Sequence, residues 1–199
     1  MSEDIRKMID KVKNFKQFIN ESINESIDTK SGVNFIYEKH PELNNIGTKE
    51  EYIKYLDSIF PNSKVKGVLY HRSPQDFDKF DKTKIRNTNS NRFYFSPFNT
   101  GRYGNYVKLA ILNIKNLAEP HNPEFMNDVI KRHPEYTEGK SEYFHLPTQI
   151  YVNADKYGYD GVFAYEGTKD DEYSVYEPEQ IHLLGTKQDI EGFKMFVKK

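Results

Sequence analysis

The chain has 199 residues, enough for one domain with an extension or for two small domains. Charged residues make up 30% and hydrophobic residues 36%, but 14 Phe and 15 Tyr supply core-forming rings, which argues against disorder. With 29 Lys and Arg against 30 Asp and Glu the net charge is -1, against a strongly basic nucleic-acid clamp, and the lack of Cys excludes disulfides, thiolate nucleophiles and cysteine-bound metal centres.

No window approaches the roughly 18 consecutive apolar residues of a membrane span. The charged start Met1-Ser-Glu-Asp-Ile-Arg-Lys7 lacks the apolar stretch of a secretory signal. The expectation is a soluble, intracellular protein, and the Cys-free composition is compatible with a reducing cytoplasm.

In chain order, Ile5, Met8, Ile9, Val12, Phe15, Phe18 and Ile19 recur at spacings of three and four, an amphipathic helix. Asn20 to Gly32 is polar and weakly periodic and reads as a linker, dividing the chain into an extension over 1–32 and a domain over 33–199. Thr48 with Glu51 fits a capping box, opening a helix with Tyr52, Ile53, Leu56, Ile59 and Phe60 on one face and Pro61 as its stop. Strands are expected at Val65–Tyr70, Arg92–Ser96 and Val107–Ile114. Asn122-Pro123 opens a helix that ends by Pro134, and a second runs from about Thr148 to a stop at Gly158. Strands at Gly161–Tyr165, Glu172–Tyr176 and Ile181–Leu184 and a helix from about Thr186 complete the chain. Helices first and late, with strands between that must pair over long range, give an α+β pattern.

Common motifs are absent. There is no P-loop, no Gly-x-Gly-x-x-Gly, and no His pair at a helical metal-ligand spacing among the six His. Three segments carry the functional signal instead. They are Val68-Leu69-Tyr70-His71-Arg72-Ser73; Arg92-Phe93-Tyr94-Phe95-Ser96-Pro97 with Tyr103 and Tyr106 after it; and Asp171-Glu172-Tyr173-Ser174-Val175-Tyr176.

In this order the segments resemble the His-Tyr-Glu branch of the ADP-ribosyltransferase superfamily, which includes the diphtheria-toxin-like and poly(ADP-ribose) polymerase enzymes. The branch carries a Trp/Tyr-His-Gly-Ser/Thr strand, a Tyr-Phe strand with a second Tyr later, and a Glu-Tyr-x-Val-Tyr strand. Tyr55–Lys66, Ala110–Asn116, Tyr159–Val162 and Pro178–Ile181 also resemble small ADP-ribosyltransferase-like proteins of bacteriophages, so the likeness covers roughly residues 50–185. It implies an ADP-ribosyltransferase-like split pair of antiparallel sheets with N-terminal and edge helices. It also implies NAD as substrate, no metal, and transfer of ADP-ribose to a macromolecule of the bacterial host, protein or nucleic acid, by a toxin-like effector.

By resemblance, Glu172 is the central catalytic carboxylate, with His71 and Tyr94 as its catalytic companions. His71 and Ser73 would hold the adenosine-side ribose, and the backbone at Arg72 the nicotinamide amide. Tyr94 and Tyr106 would sandwich the nicotinamide ring, with Tyr103 competing for the second place. The family's Gly is Arg72 here, so that amide contact requires the backbone to keep its shape. Asp170 sits where the arginine-modifying branch recognises its acceptor.

The alternatives are an NAD glycohydrolase of the same fold and a catalytically silent virion or interaction protein. Taken singly, His71 reads as a structural strand-end residue, Tyr94 as a core residue and Glu172 as part of a solvated acidic turn. The tandem Ile19-Asn20-Glu21 and Ile23-Asn24-Glu25 resembles the cleavage site of bacteriophage head-maturation proteases. That implies a removable segment that would direct the chain into a phage capsid, with the enzyme acting in the host cytoplasm and no membrane partner.

Overall fold

The structure, a computed structural model, describes residues 29–85, 91–99, 101, 103–134, 141–164 and 171–199. The expected helix over 5–19, the Ile-Asn-Glu tandem and Asp170 lie outside the described residues.

Two sheets form the centre. In the first, β1 (Leu69–Ser73) and β7 (Ile181–Leu183) flank β3 (Tyr106–Leu112), all antiparallel. The second has the order β2 (Phe93–Phe95), β6 (Glu172–Val175), β5 (Gly161–Ala164) and β4 (Leu117–Ala118). Its β4–β5 pair is parallel, so the expected purely antiparallel pair of sheets is corrected to one antiparallel and one mixed sheet. The parallel pair follows from the long connection, which carries two helices, between Ala118 and Gly161.

Five helices cover the outer faces. α1 (Thr29–Lys39), α2 (Lys49–Ile59) and α5 (Lys187–Val197) pack on the first sheet through Val33, Ile36, Tyr52, Leu56, Val68, Leu109 and Phe193. A middle core of Leu69, Phe80, Phe93, Phe95, Leu112, Tyr173 and Val175 lies between the sheets. α3 (Pro123–Arg132) and α4 (Ser141–Asn153) cover the second sheet through Val129, Leu146, Ile150 and Val162. The α+β class is thus observed, as a stack of helices, sheet, sheet and helices.

Local chemistry explains most boundaries. Thr48 N–H donates to Glu51 Oε2 at 2.8 Å and Glu51 N–H to Thr48 Oγ1 at 3.2 Å, the reciprocal capping box that starts α2. Asn122 Oδ1 accepts from Glu124 N–H at 2.9 Å and starts α3 ahead of Pro123. One helix was not expected from the sequence pattern and another begins earlier than it suggests. α1 starts at Thr29 inside the expected linker, with Gly32 placed so close to β1 that an added Cβ would lie 2.6 Å from Val68 Cγ1. α4 starts at Ser141 and carries Pro147 within it, where the pattern read its start at Thr148. β1 is shifted toward Ser73 relative to the expected Val65–Tyr70.

Asp189, wholly buried, ties the last helix to the first sheet. Its carboxylate accepts from Tyr52 O–H, from Gly185 N–H at 2.7 Å and from His182 Nε2 at 2.7 Å. Burial, followed by the charge of Asp189, pushes the Tyr52 phenol well above its ordinary range, so it stays a donor. Truncation leaves these donors unpaired in the core, so Asp189→Ala should lose about 3–5 kcal/mol of stability in urea unfolding. A loss under about 1 kcal/mol would show that water replaces the carboxylate without penalty.

Candidate functional site

Main-chain hydrogen bonding places the site. Tyr70 N–H donates to Ser96 O, and Ser96 N–H to Tyr70 O, both at 2.8 Å, a single bridge that joins the first sheet to the second. Continued by one antiparallel step, the ladder would pair Arg72 with Tyr94. There the His71 side chain intervenes, with Nδ1 2.8 Å from Tyr94 O. Beyond the bridge the sheets are held by a side chain in place of a backbone ladder, and a cleft opens between them.

Strand alternation sets what faces that cleft. The main-chain groups of Tyr70 point toward β2, so those of Arg72, two residues on, point the same way and away from β3. The Arg72 side chain is engaged elsewhere. Nε and Nη2 donate to Asn99 Oδ1 at 2.9 and 2.6 Å, and Nη1 donates to Gly104 O at 2.9 Å. Gly104 has a φ of +131°, and a Cβ there would lie 2.3 Å from the Ser73 carbonyl, so the loop after β2 lies directly on the end of β1. Arg72 therefore clamps that loop and leaves its own backbone toward the cleft.

His71 is packed edge-on against Phe80, with ring centres 4.9 Å apart, and near Phe95 at 5.5 Å. Burial among these rings holds its pKa below the ordinary value, while the Tyr94 carbonyl opposes that shift. A carbonyl only accepts, so the neutral imidazole carries its proton on Nδ1 and presents Nε2 as an acceptor.

The cleft widens into a cavity of about 780 Å³, within the range of small-molecule sites, lined in part by His71, Arg72, Ser73, Tyr94 and Tyr103. Phe77, Phe80 and Phe93 give it an apolar wall, and Arg72, Lys79, Lys84 and Arg92 outnumber Asp76 and Asp81 among its charges. Asp76 is also paired with Lys108 at 2.7 Å. Such a lining suits a ligand with flat rings and negative charge.

Glu172 is half-buried on the neighbouring strand and outside the cavity lining. The β2–β6 register ends at Phe95↔Tyr173, and Glu172, the next residue of β6, pairs with Ala164 of β5. Tyr173 and Val175 enter the middle core, so Glu172, Ser174 and Tyr94 share the opposite face. The second Tyr of the motif is divided between two places. Tyr103, with φ +69° and 79% exposed, lines the cavity, whereas Tyr106 is 46% exposed opposite Ser73 at the start of β3 and does not line it.

Two residues that the sequence pattern did not single out as functional join this group. Tyr151 O–H on α4 donates to Glu172 Oε1 at 3.0 Å. Arg92, just before β2, is only 2% exposed, and its guanidinium carbon lies 4.6 Å from the Tyr151 ring centre and 5.4 Å from that of Tyr94. Arg92 Nη1 donates to Ser174 Oγ at 3.1 Å, while Nε and Nη2 have no hydrogen-bond partner among the described residues. No group of three or more His, Cys, Asp or Glu able to hold a metal occurs among the described residues, and no described helix is long and apolar enough to cross a membrane.

Neutral burial of His71 has a measurable sign. As pH falls below about 6.5, the unfolded chain binds a proton on this imidazole before the folded chain does. Stability should therefore fall with a slope of at most about 1.4 kcal/mol per pH unit from this group. His71→Gln should remove that component from urea unfolding curves between pH 7 and pH 5. An unchanged slope would mean that His71 titrates alike in both states.

No protein-family model, curated protein or solved structure matches the chain.

Proposed function

We propose that the protein is an NAD-dependent mono-ADP-ribosyltransferase with an ADP-ribosyltransferase-like fold, acting on a macromolecular acceptor of a bacterial host. The observation that carries this reading is the convergence of the three motif segments at the sheet bridge. His71 is bonded to the Tyr94 carbonyl, and Glu172 sits one ladder step beyond Phe95↔Tyr173. His71 and Glu172 are about 100 residues apart in sequence, so local sequence preference does not account for both strands flanking β2 at this point.

The reaction needs what these groups can supply. The bond between ribose C1′ and the nicotinamide nitrogen breaks with its electron pair going to the nitrogen. Nicotinamide thereby leaves neutral and requires no general acid. The ribose passes through an oxocarbenium-like state, which a nearby carboxylate stabilises by charge, and this role falls to Glu172. His71 Nε2 accepts a ribose hydroxyl, the Arg72 main chain meets the carboxamide, and Tyr94 stacks on the flat ring. An acceptor nucleophile then bonds to C1′ and gives up its proton. Water in that place yields the glycohydrolase reaction.

Nicotinamide release from NAD by the wild type and Glu172→Gln, with and without bacterial lysate, tests the assignment. Release that depends on lysate and falls about 100- to 1,000-fold in the variant is the expected result. Lysate-independent release identifies water as the acceptor. If the wild type neither binds NAD nor releases nicotinamide, the proposal fails and a catalytically silent role takes its place.

A further inference from the structure

Around Glu172 the contacts form a closed circuit. Glu172 Oε1 accepts from the Tyr151 phenol at 3.0 Å. The other side of that circuit is the Arg92 guanidinium, 4.6 Å from the Tyr151 ring centre. Arg92 in turn donates to Ser174 Oγ at 3.1 Å, and Ser174 lies two residues from Glu172 on the same face of β6. Three separate elements, α4, the approach to β2, and β6, are thus tied into one ring of contacts with the carboxylate as a member.

From this circuit we infer that Tyr151 is a positioning residue for Glu172 and that Arg92 holds Tyr151 in place. The inference rests on the transferase reading and gives roles to two residues to which the resemblance assigns none.

The physical grounds are independent of that resemblance. Burial and the neighbouring Glu172 charge push the Tyr151 phenol well above its ordinary range, so it remains a hydrogen-bond donor at every working pH. A carboxylate held by a fixed donor keeps one orientation, which a group that must meet a developing positive charge requires. Arg92 makes one side-chain hydrogen bond among the described residues, to Ser174, and its Nε and Nη2 stay unpartnered. Its contribution is then mainly its flat, cationic face against the tyrosine ring, a contact strengthened by burial.

A thermodynamic cycle on nicotinamide release tests this with Tyr151→Phe, Glu172→Gln and the double variant. Tyr151→Phe keeps the ring against Arg92 and removes only the hydroxyl. It should lower kcat about 10- to 100-fold while KM for NAD changes less than about threefold. Because Tyr151 acts through Glu172, the double variant should be no slower than Glu172→Gln alone. Arg92→Met, checked for folding by its thermal transition, should lower kcat in the same way, and Arg92→Lys should restore part of the loss. An unchanged kcat in Tyr151→Phe, or losses that multiply in the double variant, overturns the inference and leaves the transferase reading intact. A wild type without activity removes the reading and the inference together.

Discussion

The site depends on one backbone bridge. Tyr70 and Ser96 exchange two 2.8 Å hydrogen bonds, and one step further the ladder gives way to the His71 imidazole. A ladder that continued would close the two sheets into one surface and bury the main-chain groups of Arg72. A ladder that never formed would let the sheets slide against each other on the middle core. A single bridge fixes the relative position of His71, Tyr94 and Glu172 and still leaves an opening. His71 is the residue that makes this arrangement work, because its side chain satisfies the carbonyl exposed where the strands part.

The charges in the site are arranged to remain fixed. His71 is held neutral by burial, and Tyr151 is held protonated by burial and by Glu172. Arg92 brings a guanidinium cation into this buried surface. Isolated burial of that cation would be costly, and three tyrosine ring faces, of Tyr94, Tyr151 and Tyr176, offset part of the cost. The nearby Glu172 carboxylate has the opposite sign. The result is a low-dielectric face on which hydrogen-bond roles are set before any ligand arrives, the condition under which electrostatic stabilisation is strongest.

Legibility in the sequence followed the range of the interaction. α2 was legible because Thr48 and Glu51 satisfy each other within three residues, and α5 because Thr186 accepts from Asp189 N–H in the same manner. β2 and β6 were legible because their alternation sends Phe93, Phe95, Tyr173 and Val175 to one core. α1 as a whole was hidden because Gly32, a poor helix former, is required there by the approach to Val68, a contact that local pattern does not encode. Pro147 hid the start of α4, since a proline is costly inside a helix and reads more readily as its boundary. β4 is two residues long and exists through its partner β5. Of the site, His71, Tyr94 and Glu172 stood out as a set by order and by neighbours. Arg92 and Tyr151 did not, because an Arg beside an Asn-rich stretch looks solvated and a Tyr at helical spacing looks like ordinary core.

The layered build divides the site's support in two. β1 and the His71 half rest on α1, α2 and α5 through one core, which Asp189 locks from within. The Glu172 half rests on α3 and α4 through another, and Tyr151 reaches it from α4. Each half of the site thus has its own helical support, and the middle core and the bridge relate one half to the other. Phe95 belongs to neither helical layer but stands where the two halves join. That residue contacts the His71 ring, belongs to the middle core and immediately precedes the bridging Ser96. Packing and hydrogen bonding meet at that position, so the geometry of the cleft is set as much by an apolar side chain as by the polar groups that face a ligand.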